Sequence, residues 1–220
     1  MPSRLSVWLD DKFREARHRA TNKIRQWEET YSYDWEPWDD DAERRSRAAE
    51  AAELFKSDRQ AAVAHFIKLA DEGSTYAMRW VGTVYWSGLG VPSDLERAEE
   101  YFRRGLCAGS WIATLSYANL LYKRGAHGEW PRTLADGVDN GFIPSFFWQA
   151  WYTYRLNPSR KAAEEIRPLL LKASEAGHPG AKAMLARLTA MGRFGLRRIP
   201  EGLRMVWTML AEIFDSPTPS

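Results

Sequence analysis

Cysteine is almost missing from this chain. Cys107 is the single one in 220 residues, which excludes an intramolecular disulfide framework and any cysteine-built metal knuckle. Its place just before Gly109 predicts a buried, structural thiol. The four histidines, His18, His65, His127 and His178, include no pair at metal-ligand spacing. There is no Walker loop, no dinucleotide fingerprint and no Gly-x-Ser-x-Gly elbow. His65 falls beside Phe66 on an apolar helix face and reads as a core histidine. No apolar run approaches the roughly 18 residues that span a bilayer. Residues 1–11 lack a signal-peptide core ahead of Asp10 and Asp11. A net charge of +2 gives no argument for nucleic acid or for an acidic partner. These absences lead to the expectation of a soluble, cytoplasmic, non-catalytic protein without metal, cofactor or nucleic acid.

What the chain has is apolar surface (45% of residues), eleven tryptophans and a helical period. Tryptophan favours both helix packing and interfaces. The clearest regularity is a ruler of four glycines, Gly73, Gly109, Gly141 and Gly177, spaced 36, 32 and 36 residues apart, a period expected of helical repeats. Counting back eleven, eight, seven and four residues from each gives Ala62, His65, Phe66 and Leu69, then Ala98, Tyr101, Phe102 and Gly105. Trp130, Thr133, Leu134 and Gly137 follow, then Ile166, Leu169, Leu170 and Ala173. These are i, i+3, i+4, i+7 sets, each one face of a helix. Leu203, Val206, Trp207 and Leu210 keep the spacing as a fifth set. Four residues after each glycine stand Ala77, Ala113, Ser145 and Ala181, and nine after stand Gly82, Ala118, Ala150 and Ala186. All are small, as close helix crossing demands.

The stretch 76–113 is the best-formed unit. Ala77, Val81, Gly82 and Tyr85 share a helix face. Gly88-Leu89-Gly90-Val91-Pro92 breaks that helix. Ser93 with Glu96 reads as a capping box for the next one, with Asp94 as the competing cap. Gly109 closes the second helix in the position that needs a left-handed backbone. Pro131 fits a first helical turn, whereas Pro168 falls late enough to kink its helix.

On Ala77, Val81-Gly82, Tyr85, Gly88-Leu89-Gly90-Val91, Asp94, Arg97-Ala98, Tyr101, Gly109 and Ala113 the stretch resembles the Sel1-like repeat, a relative of the tetratricopeptide repeat. It departs at Arg104-Gly105-Leu106, where that family usually has Lys-Ala-Ala. The resemblance covers roughly residues 45–214. It implies an all-α fold: a right-handed α-solenoid of about four to five helix–turn–helix repeats with an N-terminal helical extension. Each helix pair hides its apolar face only against its neighbours. The resemblance also implies an adaptor or scaffold that holds a protein or peptide partner against the first helices, which line the concave face. The paired cysteines of secreted relatives linked to β-lactam binding are missing, so that activity is not carried over. The brevity of the chain suggests a bacterial protein.

The expected organisation is an amphipathic helix over residues 1–27, an acidic-aromatic linker over 28–44, the array over 45–214 and a frayed tail over 215–220. In the helix, Leu5, Trp8, Leu9, Phe13, Ala16, Ala20, Ile24 and Trp27 share a face, with mostly basic residues opposite. Three roles are open to it: capping the array, docking a partner, or lying on an anionic membrane surface. The linker interleaves Tyr31, Tyr33, Trp35 and Trp38 with acids. It is an exposed connection, a binding segment, or a strip that folds back on the array.

Positions six, ten and thirteen after each ruler glycine lie on the first helices beyond the core columns. Read across units, they bring Trp86, Asn119, Tyr122, Phe147, Trp151 and Tyr154 into register. This aromatic patch is the expected partner site. The competing reading has it packed under the N-terminal helix or the acidic-aromatic strip. The protein is expected to be a monomer or weak oligomer.

Overall fold

In a computed structural model, residues 4–32 and 42–215 are described, with side chains over 18–32, 42–209 and at 211. The helices are α1 (Arg4–Ser32), α2 (Ala42–Leu54), α3 (Arg59–Asp71), α4 (Thr75–Ser87), α5 (Leu95–Cys107), α6 (Trp111–Lys123), α7 (Trp130–Asp139), α8 (Ile143–Leu156), α9 (Arg160–Glu175), α10 (Pro179–Ala190) and α11 (Ile199–Asp215). A 3-10 turn, Leu196–Arg198, precedes α11. After α1 the chain is five helix pairs, α2/α3 to α10/α11, and no strand occurs among the described residues. Two compact units form. One holds Ser32–Asn140, hence α2 to α7; the other holds residues up to Tyr31 together with 141–220, hence α1 and α8 to α11.

The ruler glycines end helices as their spacing predicts. Gly73, Gly109, Gly141 and Gly177 all have positive φ, between 82° and 98°. At Gly109 the backbone N–H of Ser110 bonds the Gly105 carbonyl and that of Gly109 bonds Leu106, the paired bonds of a left-handed helix stop. The next residue then starts the following helix. Ser74 and Ser110 are N-caps whose hydroxyls accept from Ala77 and Ala113. The small columns sit at helix crossings: Ala77, Ala113, Ser145, Ala181, Ala118, Ala150 and Ala186 are all fully buried. At Gly82 a Cβ would lie 2.6 Å from the Phe102 ring, so α4 and α5 approach through the missing side chain.

Several expectations are corrected. Asp94, not Ser93, caps α5, its carboxylate accepting from the amides of Glu96 and Arg97. Cys107 is exposed; it lies two residues past Gly105, about 200° around the helix from the buried face. His65 is exposed because the buried arc of α3 runs from Leu69 through Ala62 and Phe66 to Val63, just short of it. In α11 the buried register is Gly202, with Met205, Val206 and Met209 partly buried, so Leu203 and Trp207 of the fifth set are exposed; the side chain of Leu210 lies outside the described residues. Pro168 lies inside an unbroken α9. The first helix runs on through Glu28 to Ser32. Residues 33–41 of the expected linker, the tail from 216, and the side chains of Leu5 to Ala16 lie outside the described residues.

Candidate partner-binding surface

In the unit 32–140, Trp86 lies near the end of α4. It is half-buried, meets Phe102 edge-on at 6.2 Å between centroids, and has the Lys123 ammonium 4.4 Å from its ring centre. Lys123 ends α6, and Tyr122 and Asn119 precede it there, both half-buried. Tyr122 meets Trp130 edge-on at 6.4 Å and His127 at 6.3 Å. On the same helix Tyr117 donates to Glu99; burial first, and that carboxylate second, hold its phenol above the ordinary tyrosine pKa. These side chains combine aromatic faces, an amide and a cation, all partly open to solvent.

In the other unit α8 carries three of the expected residues. Phe147 and Tyr154 are only 3% and 7% exposed and belong to the core of that unit. Phe147 fills space left at Gly180, where a Cβ would lie 2.7 Å from its ring. Only Trp151 is half-buried, packed beside Trp148 and Tyr152 with the Arg155 guanidinium 5.2 Å from its ring centre. The expected six-residue set therefore divides between the two units, and two of its members are packing residues.

On this face the competing reading, packing under the N-terminal helix, describes α8; the contacts that make it were not foreseen. The last two turns of α1 lie on α8 and α10. Trp27 stacks on Tyr31 at 4.8 Å and meets the His178 ring edge-on at 4.8 Å. Tyr31 reaches Phe142, and Ile24 lies over Gly180. The Glu28 carboxylate accepts from the Trp148 indole N–H at 2.7 Å and pairs with His178 Nε2 at 3.0 Å. His178 is fully buried and is also the N-cap of α10, its Nδ1 accepting from the Ala181 amide at 3.2 Å. With Nδ1 the acceptor, Nε2 carries the hydrogen and donates to Glu28. Phe147 stacks on the same imidazole at 4.4 Å. Two signals were legible. Ile24, Trp27, Glu28 and Tyr31 stand at i, i+3, i+4 and i+7, and His178 occupies the column that holds Ser74 and Ser110.

No group of three or more His, Cys, Asp or Glu placed to hold a metal occurs among the described residues. No described helix is long and apolar enough to cross a membrane.

Helix pairs with glycine stops and small crossing residues define an α-solenoid fold built of helix–turn–helix repeats. No protein-family model matches the sequence, and no curated protein matches it. Solved structures carry the likeness. A Sel1 repeat protein from Oxalobacter formigenes is similar at a TM-score of 0.59 and 18% identity, over 72% of this chain and 66% of that one. A protective antigen of uropathogenic Escherichia coli with an SLR (Sel1-like repeat) fold gives 0.53 and 17%, over 69% and 34%. An immunity protein from Pseudomonas aeruginosa gives 0.53 and 18%, over 75% and 64%. This chain thus spans about two thirds of the first and third of these proteins and about one third of the second. The likeness is one of fold.

Proposed function

We propose that this chain is a non-catalytic adaptor or scaffold that holds a protein or peptide partner on the first helices α4 and α6, through Trp86, Asn119 and Tyr122. The observation that carries the reading is Trp86 with Lys123 over its ring: a half-open aromatic–cation pair beside Tyr122, on a fold that commonly mediates protein–protein interaction. Tryptophan and tyrosine in half-buried positions are the residue types that dominate binding energy at interfaces. The face at the starts of α8 and α10 is taken by the chain's own α1, and Phe147 and Tyr154 are buried in the core of their unit and serve stability. All three structural neighbours are bacterial, in keeping with a bacterial adaptor.

The alternative of a peripheral membrane organiser needs the apolar side of the N-terminal helix at a lipid surface. Ile24 and Trp27 from that side pack on α8 and α10 instead, which works against it.

The test is an affinity capture with the full chain beside Trp86→Ala and Lys123→Glu. Both substitutions should weaken capture of the same partner by at least about tenfold while circular dichroism and melting stay near wild type. Undiminished capture by both variants would refute the assignment to α4 and α6.

A further inference from the structure

A second surface, independent of the proposed partner site, lies on α11. The second helices of the repeats normally lie between two first helices. The helix α3 packs on α2 and α4, α5 on α4 and α6, and α9 on α8 and α10. The helix α11 packs extensively on α10. Its contact position is Gly202, where a Cβ would lie 2.1 Å from the Ala190 nitrogen. In α5 the buried Ala98 holds the corresponding place against α4.

The residue after this position faces the following repeat. In α5 it is Glu99, which accepts from Tyr117 of α6 at 3.2 Å and pairs with Arg124 at the end of α6. In α3 it is Val63, buried. In α9 it is Arg167, whose guanidinium lies 5.6 Å from the ring centre of Phe194, just beyond α10. In α11 this column holds Leu203, 57% exposed, and one turn later Trp207, 74% exposed. Where α5 has Glu99 and Arg103 on that stripe, α11 presents leucine and tryptophan to solvent. A tryptophan side chain carries roughly 150–250 Å² of burial when packed, and most of that surface is open here.

We propose that the outer face of α11 is a self-association surface through which two copies of this chain pair. The argument is continuity. This face extends the stacking interface that a first helix covers on α9, one repeat earlier, and on α3 and α5, and its chemistry suits a helix with an apolar stripe. A second copy supplies such a stripe. An antiparallel pairing of the two α11 helices sets Leu203 of one copy against Trp207 of the other and repeats the contact by two-fold symmetry, which closes the assembly at two. The exposed Arg197, Arg198 and Arg204 border the stripe and stay in water in such a pair.

Sedimentation equilibrium of the full chain across the micromolar range tests this, with Trp207→Asp and Leu203→Asp beside wild type. Wild type should approach twice the monomer mass as concentration rises. Each variant should raise the dissociation constant by at least about tenfold, with melting unchanged at dilutions where wild type is monomeric, because both side chains are exposed in the monomer. A wild type that remains monomeric, or variants that associate like wild type, overturns the proposal. So does unfolding of both variants, which would place the stripe inside the monomer. Cosedimentation with phosphatidylcholine–phosphatidylserine vesicles is run in parallel. Binding there by monomeric wild type, lost in Trp207→Asp, would assign the face to an anionic membrane and also overturn the pairing.

Discussion

Replacing Glu28 by alanine tests the docking of α1 most directly. The carboxylate is 15% exposed and accepts two hydrogen bonds, from Trp148 at 2.7 Å and from His178 at 3.0 Å. Its removal strands the His178 Nε2–H, which belongs to a fully buried ring, and the Trp148 indole N–H, which is half-buried. A buried donor left without a partner costs about 1–3 kcal/mol. The indole end admits water more readily and lies at the lower limit. Relief of the desolvated carboxylate offsets part of the sum. A net loss of about 1–3 kcal/mol follows. Glu28→Gln keeps an acceptor oxygen and loses only the charge assistance, so its cost should be about 1 kcal/mol. His178→Asn retains a side-chain cap for α10 and removes the partner of Glu28. A double-mutant cycle between the two sites should therefore return a coupling of about 1–2 kcal/mol. Because the chain has two compact units, urea unfolding is read together with hydrogen exchange in α8 and α10, which reports their own opening. If Glu28→Ala stays within about 0.5 kcal/mol of wild type and exchange in α8 and α10 is unchanged, the reasoning fails.

Two further outcomes follow from the packing. Gly82→Ala gains about 1 kcal/mol of helix propensity but drives a Cβ to 2.6 Å from the fully buried Phe102 ring; overpacking of about 1–3 kcal/mol outweighs it, and the urea midpoint should fall. The Arg47 guanidinium bonds both oxygens of Glu72, at 2.8 and 2.9 Å, and holds that carboxyl below its ordinary pKa. A depressed carboxyl contributes stability above its unfolded pKa of about 4.3 and loses it as pH falls through the lower folded value. The small stability difference between wild type and Glu72→Gln should therefore persist at neutral pH and vanish on the acid side of that range in pH-dependent urea titrations.

The fold was legible because its demands are made of the backbone. A helix stop needs a left-handed residue, and a close crossing needs a small one. Both demands recur at fixed spacing, so Gly73, Gly109, Gly141 and Gly177, and the columns through Ala77 and Gly82, could be read in one dimension. The last repeat escaped because its ruler glycine is absent. Gly202 takes the contact position there and moves the register by one residue, which sends Leu203 and Trp207 outward. The site was less legible, since a fixed offset cannot tell a surface aromatic from one that fills a gap. Phe147 turns inward because Gly180 on α10 leaves room for its ring. Trp86 and Tyr122 meet no such vacancy and stay half-buried. The docking of α1 joins residues 28 and 148, and 28 and 178, pairs that no local pattern connects.

His178 explains how a repeat can gain a docking point without losing its frame. The residue after each stop glycine has one structural duty: to accept from an amide in the first turn of the next helix. A serine hydroxyl performs that duty at Ser74 and Ser110 and ends there. An imidazole performs it with Nδ1 and retains a second polar atom on the far side of the ring. The cap fixes the tautomer, so Nε2–H becomes a donor of set direction, aimed outward from α10 at Glu28. The flat ring adds faces against Phe147 and Trp27. One substitution in the cap column thus keeps the start of the helix and adds a recognition group for another. Phe142, in the same column at the start of α8, gives up the side-chain cap and meets Tyr31 of the same docked helix. The two repeats that receive α1 are therefore the two whose cap column departs from serine.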